Sequence, residues 1–150
     1  AAKLGYDNVQ FRAGEIEVLP VDDAAVDVVV SNCVLNLVPD KAQAFAEIFR
    51  VLRPGAHFCV SDIVATGELP EPIRKATALY VGCVAGALAR EEYLRLIEGA
   101  GFEAINVAET KPIELPDEVL TPHLGDADLA AFRSSDISLQ SITVRAVKPA

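Results

Sequence analysis

The chain has no methionine, two histidines and three cysteines, and it is short of positive charge: 13 lysines and arginines stand against 22 aspartates and glutamates. The formal charge of −9 and sequence pI of about 4.6 argue against a nucleic-acid partner and against an anionic membrane surface, because phosphates are bound through Lys and Arg. No apolar run approaches the roughly 18 residues of a membrane span. Nothing at the start has the charged and apolar regions of a signal peptide. A low, odd cysteine count does not build a secreted disulfide framework and fits reduced thiols in a cytoplasmic protein. Neither His57 nor His123 fits a Ser-His-Asp or Cys-His arrangement. The chain opens Ala1-Ala2-Lys3-Leu4 with no initiating methionine, so it reads as a piece of a longer protein or a processed product.

What is present is apolar. Hydrophobic residues make up 51% of the 150 and mean hydropathy is +0.30, enough for one domain with its own core. Residues 9–14 alternate and are expected to form a strand that stops at Gly14. Residues 26–32 are a β-branched run suited to a buried parallel strand. Asp40 offers a helix N-cap, with Gln43 three residues on. Through 41–53, Ala42, Phe45, Ala46, Phe49 and Leu52 recur at helical spacing, with Gln43, Glu47 and Arg50 on the opposite face. Pro54-Gly55 should end that helix, and 56–64 reads as a second buried strand. Pro72 sits in the first turn of a helix running to about Tyr80 or Val81. Another helix covers about 90–100, with Tyr93, Leu94 and Ile97 inward. Strands at 102–109 and 137–147 flank a long excursion with one short helix near 126–132.

Helices between apolar strands imply crossovers and a parallel sheet. The last two strands have no helix between them long enough for a crossover, and fit an antiparallel pair at one edge. Ligands of open α/β sheets bind outside the carboxyl ends of the parallel strands. Cys33 ends the run at 26–32, and Cys83 follows the next strand, so both thiols fall at that edge. A thiol pair there suits a soft, sulfur-seeking substrate. Cys59, inside His57-Phe58-Cys59-Val60-Ser61, is expected in the core. Asp62 either lines the cleft or caps the next turn. Glu91-Glu92 reads as a solvated helix start.

Phe11-Arg12-Ala13-Gly14-Glu15-Ile16-Glu17-Val18-Leu19-Pro20, Val26-Asp27-Val28-Val29-Val30-Ser31-Asn32, Ile48-Phe49-Arg50-Val51-Leu52-Arg53-Pro54-Gly55 and Ala100-Gly101-Phe102 resemble class I S-adenosylmethionine-dependent methyltransferases. Asn32-Cys33-Val34, Val60-Ser61-Asp62-Ile63-Val64-Ala65, Leu79-Tyr80-Val81-Gly82-Cys83-Val84-Ala85-Gly86-Ala87 and Ser141-Ile142-Thr143-Val144 together resemble the arsenite methyltransferases. The resemblance runs over nearly the whole chain and corresponds to the later part of that family's catalytic domain. It implies an α/β fold over 1–150, a partial methyltransferase domain: a class I methyltransferase Rossmann-like sheet with an antiparallel C-terminal strand pair, lacking the first two strands. It implies transfer of a methyl group from S-adenosylmethionine to arsenite held by the thiolates of Cys33 and Cys83, in arsenic detoxification, with a thiol reductant as partner. Glu15 then accepts a hydrogen bond from the adenine amino group, Ile16 packs on the ring, and Asn32 lies under the methyl donor.

The family's Gly-rich loop and its ribose-binding acid have no counterpart here; there is no G-x-G-x-G. Two other readings stand beside the first. One is a methyltransferase of a small organic, quinone-like substrate, which has no need of two thiols. The other is a non-catalytic thiol fragment that binds metalloid without turnover. The family's sheet order, 3-2-1-4-5-7-6, makes 26–32 a bare edge with apolar residues on both faces. Such an edge templates pairing. It is expected to pair with a second copy, to be covered by 9–14, or to survive because the protein was folded whole and cut later. A lone chain with that edge uncovered in solvent is expected to be incompatible with this topology.

Overall fold

The computed structural model describes residues 5–78, 82–122 and 125–150. The valine-rich run Val26–Asn32 forms β1 and pairs in parallel with β2, Leu52–Ala65. Parallel neighbours need a crossover, supplied here by α1, Lys41–Val51. Asp40 caps it: its Oδ1 accepts the Gln43 N–H at 2.9 Å. From β2 the chain runs through α2 (Glu71–Ala78), α3 (Gly82–Ala85) and α4 (Arg90–Gly99) to β3, Glu103–Ile113. Then α5 (Asp117–Leu120) and α6 (Asp126–Arg133) lead to β4, Leu139–Val147. β4 lies between β2 and β3 and is antiparallel to both, which gives the order β1-β2-β4-β3. This is the 4-5-7-6 portion of the expected sheet.

Alternation along β2 sorts its side chains. Phe58, Val60 and Val64 join Phe45 and Ile48 of α1, Tyr93 and Ile97 of α4, and Ile142 and Val144 of β4 in one buried cluster. Tyr93 meets Phe45 edge-on at a centroid distance of 5.5 Å, and Phe58 meets Phe102 at 4.7 Å. Such edge contacts add about 0.5–1.5 kcal/mol each beyond burial. A second cluster at the carboxyl end of β2 joins Ile63, Ile73, Val84, Leu120, Phe132 and Leu139. It fixes the short helices beside the end of the sheet where Cys33 emerges.

Several expectations are corrected. Residues 9–14 form no strand, and Phe11 is 82% exposed. Alternation suits a strand, but a strand also needs a ladder partner, and among the described residues this segment has none. In α1 the buried positions are Ala44, Phe45, Glu47, Ile48 and Val51, while Ala42 and Ala46 face solvent. Glu47 turns inward because Arg50 pairs with it at 2.7 Å and the Leu19 N–H donates to it at 2.8 Å. β2 begins directly after α1, and β3 continues to Ile113 through Pro112. The proline is tolerated because β3 is an edge strand. Cys59 is half-buried on the sheet face opposite the main core, between Val30 and Arg145, because odd positions of β2 point away from α1 and α4. Tyr80, Val81 and His123 lie outside the described residues.

The outer side of β1 is unpaired among the described residues, with Val30 75% exposed and Val28 46%. The expected covering of this edge by 9–14 is not found, and the edge stays open to pairing with another chain. An edge in solvent bonds water, so the penalty for unmet buried backbone groups does not arise.

Candidate active site

Two loops and one strand end meet beyond β1. Cys33 leaves β1 in the left-handed region, with φ of +58°, a conformation costing a non-glycine residue about 1–2 kcal/mol. Its N–H donates to the Ser61 carbonyl at 2.8 Å, which holds the turn against β2. A single 3-10 turn, Leu35–Leu37, follows and leads into α1. Cys83 arrives on α3 from the other side of β2, and its Sγ lies 3.4 Å from the Cys33 carbonyl oxygen. The two cysteines predicted at one edge thus meet there, thiol to backbone carbonyl. Burial pushes the Cys33 thiol pKa up first, and Cys83 and Asp62 add to it. The thiol therefore favours its protonated form.

Beneath the thiols lies a buried polar group that sequence reasoning left undecided or missed. Asp62 is 1% exposed and accepts the Tyr93 hydroxyl at 2.6 Å. Burial raises its pKa, while Tyr93, the Asn36 backbone amide and the Lys41 charge oppose the rise. Asp62 Oδ1 has no hydrogen bond of normal geometry among the described residues. Desolvation lowers the Lys41 pKa, against the pull of Asp62. Asn36, 3% exposed, donates from Nδ2 to the Ile63 carbonyl at 3.0 Å and the Cys83 carbonyl at 2.9 Å. Asp62 carried a signal in the sequence: it shares the inward phase of Phe58, Val60 and Val64. Asn36 carried none, since its partners lie 27 and 47 residues away.

The predicted cofactor residues sit at the same end of the sheet. Glu15 and Val18 close a tight turn. Glu17 ties that turn to α1: its carbonyl accepts from Gln43 Nε2 at 3.2 Å. Ile16 is half-buried against the main core. The Glu15 carboxylate is exposed and has no hydrogen-bond or ion-pair partner among the described residues, so it is free to accept an N–H. Asn32 is exposed at the end of β1, opposite Ser61. A free acceptor and an apolar neighbour fit an adenine edge and face. No group of three or more His, Cys, Asp or Glu is placed to hold a metal ion among the described residues. Among the described residues no helix is long and apolar enough to cross a membrane.

A family model described as a methyltransferase domain matches residues 1–101. The chain belongs to the methyltransferase domain family. Among curated relatives, the domain is 40% identical to an arsenite methyltransferase of Halobacterium salinarum over 99% of its length, and 38% identical to the human arsenite methyltransferase over 87%. It spans 36% and 37% of those two proteins. A crystal structure of an arsenic(III) S-adenosylmethionine methyltransferase from Chlamydomonas reinhardtii superposes with a TM-score of 0.78 at 35% identity, covering 97% of this chain and 46% of that one. The methyltransferase domain also shares its fold with a Bacillus subtilis protein at a TM-score of 0.73 and 18% identity.

Proposed function

We propose that this domain serves methyl transfer from S-adenosylmethionine to trivalent arsenic, with Cys33 and Cys83 as the ligands that hold the arsenic. The observation that carries the reading is the meeting of two cysteines from separate elements at the carboxyl edge of the sheet, the Cys83 thiol 3.4 Å from the Cys33 backbone carbonyl oxygen. The similarity to proteins named arsenite methyltransferases supports the same substrate. Trivalent arsenic is soft and prefers sulfur to oxygen. Each thiol gives its proton to one arsenic-bound hydroxide. Two As–O bonds break, two As–S bonds form and two waters leave, with no net proton release. The raised pKa of Cys33 is no obstacle to this exchange, since the thiol proton leaves as part of water. The bound arsenic keeps its lone pair. S-adenosylmethionine, when bound, supplies an electrophilic methyl group on a sulfonium.

The chain contributes position. Cys33 and Cys83 fix the arsenic, Glu15 and Ile16 offer an acceptor and an apolar face to the adenine, and Asn32 lines the strand end between them. Holding two reactants in line removes most of the entropic barrier to their encounter. Methylation raises the formal oxidation state of arsenic by two, so a thiol reductant completes the partner set. The role in arsenic detoxification and the cytoplasmic location belong to this reading.

Arsenite titration tests it. Cys33→Ser and Cys83→Ser should each weaken binding sharply, and Cys59→Ser should leave it nearly unchanged. Equal loss from all three in folded protein contradicts the assignment. Binding insensitive to Cys33 and Cys83 instead favours a small organic methyl acceptor.

A further inference from the structure

The cysteine pair needs a registration device, because among the described residues no backbone ladder joins the elements that carry its halves. Cys33 is locked to β2 through the Ser61 carbonyl. Cys83 rides on α3, a helix of four residues. Apolar burial of Val84 and Ala87 holds α3 against the second cluster, but apolar contact is non-directional and does not set a sulfur position. The Cys83 thiol also bonds the Cys33 carbonyl. That bond disappears once the sulfur gives up its proton to bind arsenic.

Among the described residues, the directional tie from α3 itself to β2 that then remains is the Asn36 side-chain amide, bonded to Ile63 of β2 and to Cys83 of α3; the Ala65 N–H to Leu88 carbonyl bond holds only the segment past the end of α3. Its surroundings are built for closeness. A Cβ on Gly86 would fall 1.7 Å from the Asn36 carbonyl oxygen, so only glycine lets the end of α3 approach this turn. Lys41 Nζ donates to the Asn36 and Val38 carbonyls at 3.3 and 3.0 Å, holding the turn from the other side. The amide is also an expensive choice. Its Oδ1 is buried and without a hydrogen bond among the described residues, at a cost of about 1–3 kcal/mol. An apolar residue would fill the space without that cost, so the gain lies in the two donors.

We propose that Asn36 is the positioning residue of the thiol pair, its amide setting the Cys83 sulfur at chelating distance from Cys33. This rests on the reading that the two thiols hold arsenic together. Asn36 touches neither substrate nor cofactor in this role.

The probe is phenylarsine oxide, a trivalent arsenical that takes two thiols at once, titrated against the whole chain. Asn36→Ala and Asn36→Asp should each lower its affinity roughly tenfold or more, since the second sulfur no longer binds as an intramolecular partner. Iodoacetamide alkylation of each cysteine should stay within about twofold of wild type, because a single thiol needs no partner. In the Cys83→Ser background, Asn36→Ala should have no further effect. The Asn36→Asp variant should regain affinity as the pH falls, because a protonated carboxyl can again donate one hydrogen bond.

Wild-type affinity in folded Asn36 variants overturns the proposal, as does equal loss with and without Cys83. Loss of circular dichroism in both variants overturns it too, by assigning Asn36 to the fold and not to the pair. A wild-type chain that binds the probe no better than Cys83→Ser overturns instead the reading of paired thiols.

Discussion

Replacing Tyr93 with phenylalanine removes one oxygen and keeps the ring. That ring is fully buried against Phe45, and its hydroxyl is 2.6 Å from Asp62 Oδ2. Packing survives the change, so the cost comes from the hydrogen bond. A bond to a charged group is worth about 1.5–3 kcal/mol and a neutral one about 0.5–1.5. Burial raises the Asp62 pKa in the fold, above the ordinary aspartate value of about 3.9. The folded state therefore binds this proton more tightly than the unfolded chain. The resulting stability is fully present below about pH 3.9 and is lost as pH rises through the raised folded value. Tyr93→Phe takes a donor from the carboxylate and steepens that loss. Its cost should lie in the neutral-bond range at an acid pH below the raised folded value and rise toward the charged-bond range at an alkaline pH above it. Urea denaturation of both proteins at both pH values measures it. Adding Asp62→Asn should abolish the pH dependence. An identical cost at both values, or less than about 0.5 kcal/mol throughout, refutes the coupled buried pair.

Cys33 sits at φ +58°, so Cys33→Gly should be about 0.5–1 kcal/mol more stable than Cys33→Ala, after allowing for the unfolded-state entropy of glycine; thermal denaturation showing the reverse order removes the strain. The 150-residue chain should bind S-adenosylmethionine weakly, since Glu15 and Ile16 offer only an adenine edge and ring face; calorimetry giving about micromolar affinity contradicts this. The open edge of β1 should pair with a second copy as concentration rises, and Val30→Lys should suppress the pairing. Sedimentation showing a monomer in both proteins contradicts it.

Local pattern carried the sheet. β-branched runs separated by helical periodicity fixed β1, α1, β2 and α4, and the short last connection fixed the antiparallel pair. Pattern failed where pairing decides the outcome: 9–14 alternates as well as any strand here, yet finds no ladder. It also failed on α1, where counting polar residues as outward missed that Glu47 is neutralised by Arg50 and can be buried. Cys33 was legible because it follows the end of β1, which topology sends to the ligand edge; Cys83 reaches that edge on the short helix α3, which the pattern did not place. Asn36 was not legible, because its chemistry depends on carbonyls of Ile63 and Cys83 that only tertiary packing brings within reach. Asp62 stood between: its phase along β2 was readable, its partner Tyr93 was not.

The central claim is that Cys33 and Cys83 hold one arsenic atom between them. X-ray absorption at the arsenic edge, on the chain loaded with one equivalent of arsenite, counts the sulfur neighbours directly. The account predicts two sulfurs in the wild type and in Cys59→Ser, and one in Cys33→Ser and in Cys83→Ser. Two sulfurs persisting in either of the last variants, or a single sulfur in the wild type, would contradict it.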